Sequence, residues 1–274
     1  MPFFDHDSLR FHYRDFGQGL PFVFQHGLGG DVNQPLCLFR PPPGVRLLAL
    51  DCRAHGQTRP LGEPEKIGFA TFAEDLAAWL DEVGVSQAVV GGISMGAALA
   101  LRFALRFPGR VLGLVLSRPA WLDGPNLKNA ELYGRIAVLI RRHGRERGLE
   151  LFRQSDDYQR VLDESPDAAR SLLGQFEHPR AEETLVKLER IPHDAPCRDL
   201  RELGQIAVPA LVLANHHDPI HPFEYGEALA RAIPTAEFRE LTAKSVSQER
   251  HAQDVQRFVS EFLIRRFLND ALEE

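Results

Sequence analysis

The residues best suited to chemistry lie in one pentapeptide, Gly92-Ile93-Ser94-Met95-Gly96. The apolar run Gln87–Gly92 leads into it, and a small-residue helical pattern, Met95–Phe107, follows until Pro108 and Gly109 stop it. A serine on such a strand-to-helix turn stands clear of the sheet, and glycines on both sides keep Cβ atoms out of the bend. The start of the following helix favours negative charge developing beside the hydroxyl. The spacing therefore predicts a nucleophile that attacks a carbonyl. Such a serine needs a base to take its proton and an acid to orient that base. Asp218 is the candidate acid, because it follows the apolar run Val208–Ala214 and precedes Pro219.

The elements that must position these residues are a mostly parallel sheet and its helices. Short apolar runs at Pro21–Gln25, Arg46–Asp51, Gln87–Gly92, Val111–Leu116, Val208–Ala214 and Ala236–Leu241 read as strands, as does the alternating Leu9–Phe16. Helical spacing appears over Phe69–Val83, Met95–Phe107, Phe223–Ala232 and Glu249–Leu268. Between residues 122 and 205 there is no strand-like run, only Arg- and Glu-rich helical pattern broken by Gly144, Pro166, Pro179 and Pro192. Strand-like sequence then resumes. The expected organisation is a core of residues 1–121 and 206–274 with an inserted helical cap over 122–205, and a pocket between them above Ser94. Trp121, Leu122, Leu28, Met95, Ile220 and Phe223 should line it, which suits an apolar substrate body.

With these motifs placed, the chain resembles the α/β-hydrolase superfamily over nearly its whole length. His26-Gly27-Leu28-Gly29-Gly30 is similar to the family's His-Gly oxyanion loop. Asp51-Cys52-Arg53-Ala54-His55-Gly56-Gln57-Thr58 is similar to the loop after its fourth strand, with Ala54 where Gly is usual. Ala214–Pro222 (ANHHDPIHP) resembles the segment that carries the acid. The resemblance implies backbone donors at Leu28 and Met95, with Gly27 beside them, Asp218 as acid, and Asp123 as the alternative acid some relatives use. It implies hydrolysis of a small ester or lactone through an acyl-enzyme, with no cofactor or metal, and a homodimer as in many relatives. Cleavage of a carbon–carbon bond in a diketone-like substrate would use the same residues. A serine at this turn argues against the dehalogenase chemistry for which the family uses Asp.

The base departs from the family pattern. In Leu241-Thr242-Ala243-Lys244-Ser245 the register places Lys244 where the family has its His, and the next His is His251 near the start of the last helix. Three arrangements follow. His251 reaches Ser94 as an imidazole base; Lys244 is the base, against the pull of Asp218 on its pKa; or Lys244 pairs with Asp218 and the protein is a weak hydrolase or a ligand-binding relative. Lys244 carries weight because the chain has only Lys66, Lys128, Lys187 and Lys244 among 32 basic residues. His216, His217 and His221 read as loop and rim residues lacking a metal partner set. Arg53 and His55 read as supports of their loop.

Composition bounds the rest. The 274 residues are 44% apolar and 26% charged, which suits a folded globular chain. A net charge of −6 without a basic tail disfavours nucleic-acid binding. No apolar run has the ~18 residues of a membrane span. The opening MPFFDHDSLR lacks a signal-peptide pattern. Cys37, Cys52 and Cys197 suggest no disulfide framework, so a cytoplasmic, reduced setting is expected.

Overall fold

The computed structural model describes residues 2–268. An eight-stranded sheet forms from β1 (Phe3–His6), β2 (Leu9–Gly17), β3 (Leu20–Gln25), β4 (Val45–Leu50), β5 (Ala88–Ile93), β6 (Val111–Ser117), β7 (Ala210–Ala214) and β8 (Ala236–Glu240). Their order is β1-β2-β4-β3-β5-β6-β7-β8. The β1–β2 and β2–β4 pairs are antiparallel, and every other pair is parallel. Strand β1 was not anticipated from sequence; four residues, FFDH, are too few for alternation to show. Met1 and residues 269–274 of the expected core lie outside the described residues.

Alternate side chains of the central strands enter separate apolar layers, as the two-residue period of a strand dictates. Val23, Leu48, Val90 and Leu114 join one layer with α2 (Phe69–Glu82) and α3 (Met95–Arg106). Phe22, Phe24, Leu47, Val89 and Val115 join the other with α1 (Asn33–Leu38) and α9 (Gln248–Leu263). Burial on both faces is why β5, AVVGGI, is apolar throughout. On α2 the buried Phe69, Phe72, Ala73, Leu76, Trp79 and Leu80 recur three and four residues apart and form its inner stripe.

From residue 127 to 205 the chain forms α4 (Leu127–Arg153), α5 (Asp156–Glu164), α6 (Pro166–Glu177), α7 (Val186–Arg190) and two short 3₁₀ segments, with no strand. Gly144, at φ 71° and ψ 170°, breaks the α4 path, and Pro166 starts α6, where its missing N–H costs nothing. This helical segment is tied to loops at the C-terminal ends of the strands. Arg180 donates to the carbonyls of Gly56 and Thr58, both at 2.9 Å. Asn129 donates to Ile220 O at 3.0 Å. Phe69 N–H donates to Asp194 at 2.6 Å. Helix α8 (Phe223–Ala232) follows β7 on the core. No helix among the described residues is long and apolar enough to cross a membrane.

Candidate active site

Ser94 joins β5 to α3 at φ 56°, ψ −109°, a left-handed conformation that costs a non-glycine residue on the order of 1–3 kcal/mol. The flanking glycines permit the turn. A Cβ on Gly92 would lie 2.3 Å from the Gly96 carbonyl carbon, and one on Gly96 would lie 2.4 Å from Gln25 O. Ser94 N–H donates to Ser117 O at 2.9 Å, which anchors the turn to β6.

The loop after β3 passes directly over this serine. A Cβ on Gly27 would stand 3.5 Å from the Ser94 Cβ. Gln34 Oε1 accepts from Gly27 N–H at 2.7 Å, and His55 Nε2 lies 2.9 Å from Leu28 O. Cys52 N–H donates to His26 Nε2, so the proton of His26 sits on Nδ1 and is donated to Gly27 O at 2.8 Å. Met95 is the first residue of α3, so its N–H has no intrahelical acceptor. These contacts hold the Gly27–Leu28 loop beside Ser94. Arg53 braces the neighbouring loop through two 2.7 Å bonds to Asp75 and one of 2.8 Å to Asp7.

The imidazole at Ser94 is His221. Its Nε2 lies 2.9 Å from Ser94 Oγ and its Nδ1 3.0 Å from Asp218 Oδ2. Asp218 and His221 share one turn of the loop after β7, where Asp218 Oδ1 accepts from the N–H groups of Ile220 and His221, both at 3.2 Å. Arg118, just beyond β6 and itself at φ 49°, donates to Asp218 Oδ2 from Nε at 3.1 Å and from Nη2 at 2.5 Å. Nη2 also stands 3.1 Å from His221 Nδ1. Asp218 Oδ2, 3.0 Å from Nδ1, is an acceptor only, so an unprotonated Nδ1 would set two lone pairs against each other. Nδ1–H of His221 therefore donates to Asp218, and the Nε2 lone pair faces the serine hydroxyl.

The surroundings tune these groups. Burial pushes the Asp218 carboxyl up, but the protonated form that His221 takes at acid pH, the Arg118 guanidinium and the hydrogen bonds of both hold it far below the usual carboxylate range. Burial pushes the His221 imidazole down, Asp218 opposes this, and Arg118 adds to the lowering, so the ring is below its usual value and neutral at pH 7. A neutral imidazole with a free lone pair on the nucleophile can act as a general base.

This placement corrects the reading of His221 as a rim residue. Its neighbours do fit the rim: His216 stacks on Phe223 at a 3.7 Å centroid distance, and His217 is exposed. His251 is not brought to Ser94. It lies on the buried stripe of α9 with Val255, Val259 and Phe262, and its Nδ1 is 2.8 Å from Thr242 O. Burial, then the nearby Arg118, lowers its pKa to about 4. Lys244 is not paired with Asp218, whose Oδ2 is taken by Arg118 and His221; its ion partner is Asp167 of α6 at 3.9 Å. Asp123, the alternative acid, accepts from Leu200 N–H at 3.2 Å. A sequence signal for His221 existed: Asp218-Pro219-Ile220-His221-Pro222 is a proline-bracketed turn in which an Asp side chain can cap the backbone and meet a residue three positions on.

Residues 21–252 match the family model described as the alpha/beta hydrolase fold. The chain is 27% identical over 242 residues to the AB hydrolase superfamily protein YisY of Bacillus subtilis, covering 81% of this chain and 83% of that one. It is 26% identical over 271 residues to 3-oxoadipate enol-lactonase 2 of Acinetobacter baylyi, covering 95% of each. Among solved structures, the enol-lactonase of Burkholderia xenovorans superposes with a TM-score of 0.72 at 24% identity, over 96% of this chain and 99% of that one.

Proposed function

Because the chain belongs to the alpha/beta hydrolase family, we propose that it is a serine hydrolase of small carboxylic esters or lactones, with Ser94 as nucleophile, His221 as base and Asp218 as the orienting acid. The observation that carries this reading is the 2.9 Å contact of His221 Nε2 with Ser94 Oγ, backed by the 3.0 Å contact of Nδ1 with Asp218. Ser94 Oγ attacks the carbonyl carbon while His221 Nε2 takes its proton. The carbonyl oxygen becomes an oxyanion facing the N–H groups of Leu28 and Met95. Collapse expels the alcohol, which receives the proton from His221, and leaves an acyl-serine. Water, deprotonated by the same imidazole, then attacks the acyl carbon and releases the acid and the free serine. For a lactone the expelled alcohol stays attached to the acyl group. Full-length relatives that include an enol-lactonase support the ester and lactone class. The helical segment over 127–205, tied to loops at the strand ends, serves as the cap that closes the pocket.

The test is a fluorophosphonate probe followed by peptide mapping, with parallel turnover of 4-nitrophenyl butyrate. A single adduct on Ser94 and measurable turnover, both lost in Ser94→Ala, are expected. Wild-type protein that neither labels nor turns over would overturn the reading.

A further inference from the structure

Beside the nucleophile lies a second feature that the triad does not use. A cavity of about 210 Å³ is lined by Gln34, Cys37, Leu38, Ile93, Arg118 and Lys244. Ile93 is the residue before Ser94, and Arg118 is the guanidinium on Asp218, so the cavity adjoins the reacting centre. Its volume is below the roughly 300–1,000 Å³ of a pocket for a whole ligand, and suits one arm of a substrate. Exposed Cys37 and the side chain of Lys244, 32% accessible, open it to solvent.

The lining contains two cations and no carboxylate. Asp218 is already engaged by Arg118, His221 and two backbone N–H groups. Asp167 stands 3.9 Å from Lys244 Nζ, the outer edge of an ion pair, and leaves the ammonium free to take a closer anion. Gln34 spends its Oε1 on Gly27 N–H and keeps its NH₂ as a donor. An apolar acyl arm would waste these donors, whereas an anion would meet an ammonium, a guanidinium edge and an amide. Burial, with Arg118 second and Asp167 and Asp218 opposing, brings the Lys244 pKa down to about 8.

We propose that this cavity is a carboxylate-binding subsite, with Lys244 as the specificity-determining residue, and that the preferred substrates carry an ionised acid group a few carbons from the scissile carbonyl. This rests on the ester or lactone hydrolase reading and names its substrate class. It also explains why a lysine stands at 244, since a compact point charge on a flexible stem fits a small cavity that a planar guanidinium would fill.

The experiment compares kcat/KM for mono-4-nitrophenyl glutarate and the neutral, similarly sized 4-nitrophenyl butyrate, in wild type, Lys244→Gln and Lys244→Arg. Wild type should favour the anionic ester, and Lys244→Gln should lower the anionic-to-neutral ratio about tenfold, the scale of one charge-assisted hydrogen bond. Lys244→Arg should restore part of the ratio. An unchanged ratio in Lys244→Gln, or a wild type that prefers the neutral ester, would overturn the subsite. Calorimetric titration of Ser94→Ala with glutarate separates this from the chemistry. Binding lost in Ser94→Ala/Lys244→Gln supports the subsite even if neither ester is hydrolysed. Normal esterase activity without glutarate binding sinks the subsite alone.

Discussion

The loops that leave β7 and β8 end neighbouring parallel strands, yet they do opposite jobs. The first, residues 215–222, turns within four residues so that Asp218 and His221 face each other and Ser94. The second, residues 241–247, runs into α9 and commits its nearest histidine to the helix's buried face. His251 lies beyond this loop on α9, where the periodicity 251, 255, 259 makes it a core residue. What a side chain does is thus decided by the element that carries it: a turn can aim a ring at the serine, and an amphipathic helix must spend it on packing.

Ser94→Ala should lower kcat/KM on an aryl ester by at least about 10³-fold while the fold is kept, as checked by circular dichroism; residual activity within tenfold would mean another nucleophile. Asp218→Asn should cost on the order of 10³- to 10⁴-fold in kcat, because the amide cannot hold the same tautomer of His221. Arg118→Gln should cost about ten- to a hundredfold, the range for a lost charged hydrogen bond of ~1.5–3 kcal/mol.

Arg118→Gln should also move the pH profile. With His221 as the proposed base its neutral form is the active one, so activity should fall as pH drops through its pKa, which lies below the usual 6.5 in wild type. Removing a cation that lowers that pKa should shift the limb to higher pH, and a shift the other way would contradict the assigned role. The smallest effect concerns Lys244. Its pKa is about 8, brought down by burial and Arg118 and pulled up by Asp167 and Asp218, with His251 close by. Preference for an anionic over a neutral ester should therefore fade as pH rises through about 8. A preference constant to pH 10 would remove Lys244 from recognition.

Much of this was legible in the residues. Gly92-Ile93-Ser94-Met95-Gly96 places the serine because only glycines fit the close backbone approach of this tight turn. The uniformly apolar β5 could only be a strand covered on both faces. His221 was hidden because Lys244 occupies the position where a histidine is usual, and His251 is the next histidine along the chain. The contact that matters instead joins residues 127 positions apart, and no periodicity reports such a pair. His251 itself was readable as core from its spacing with Val255 and Val259 once α9 was drawn as a helix.

The most direct measurement pairs His221→Gln with His251→Gln and follows kcat/KM on 4-nitrophenyl butyrate per folded molecule, with thermal unfolding alongside. The account predicts a loss of at least about 10³-fold in His221→Gln. In His251→Gln it predicts a lower melting temperature with kcat/KM within about threefold, since a buried packing residue affects stability and not the chemical step. Near-wild-type turnover in His221→Gln together with a dead His251→Gln would contradict it.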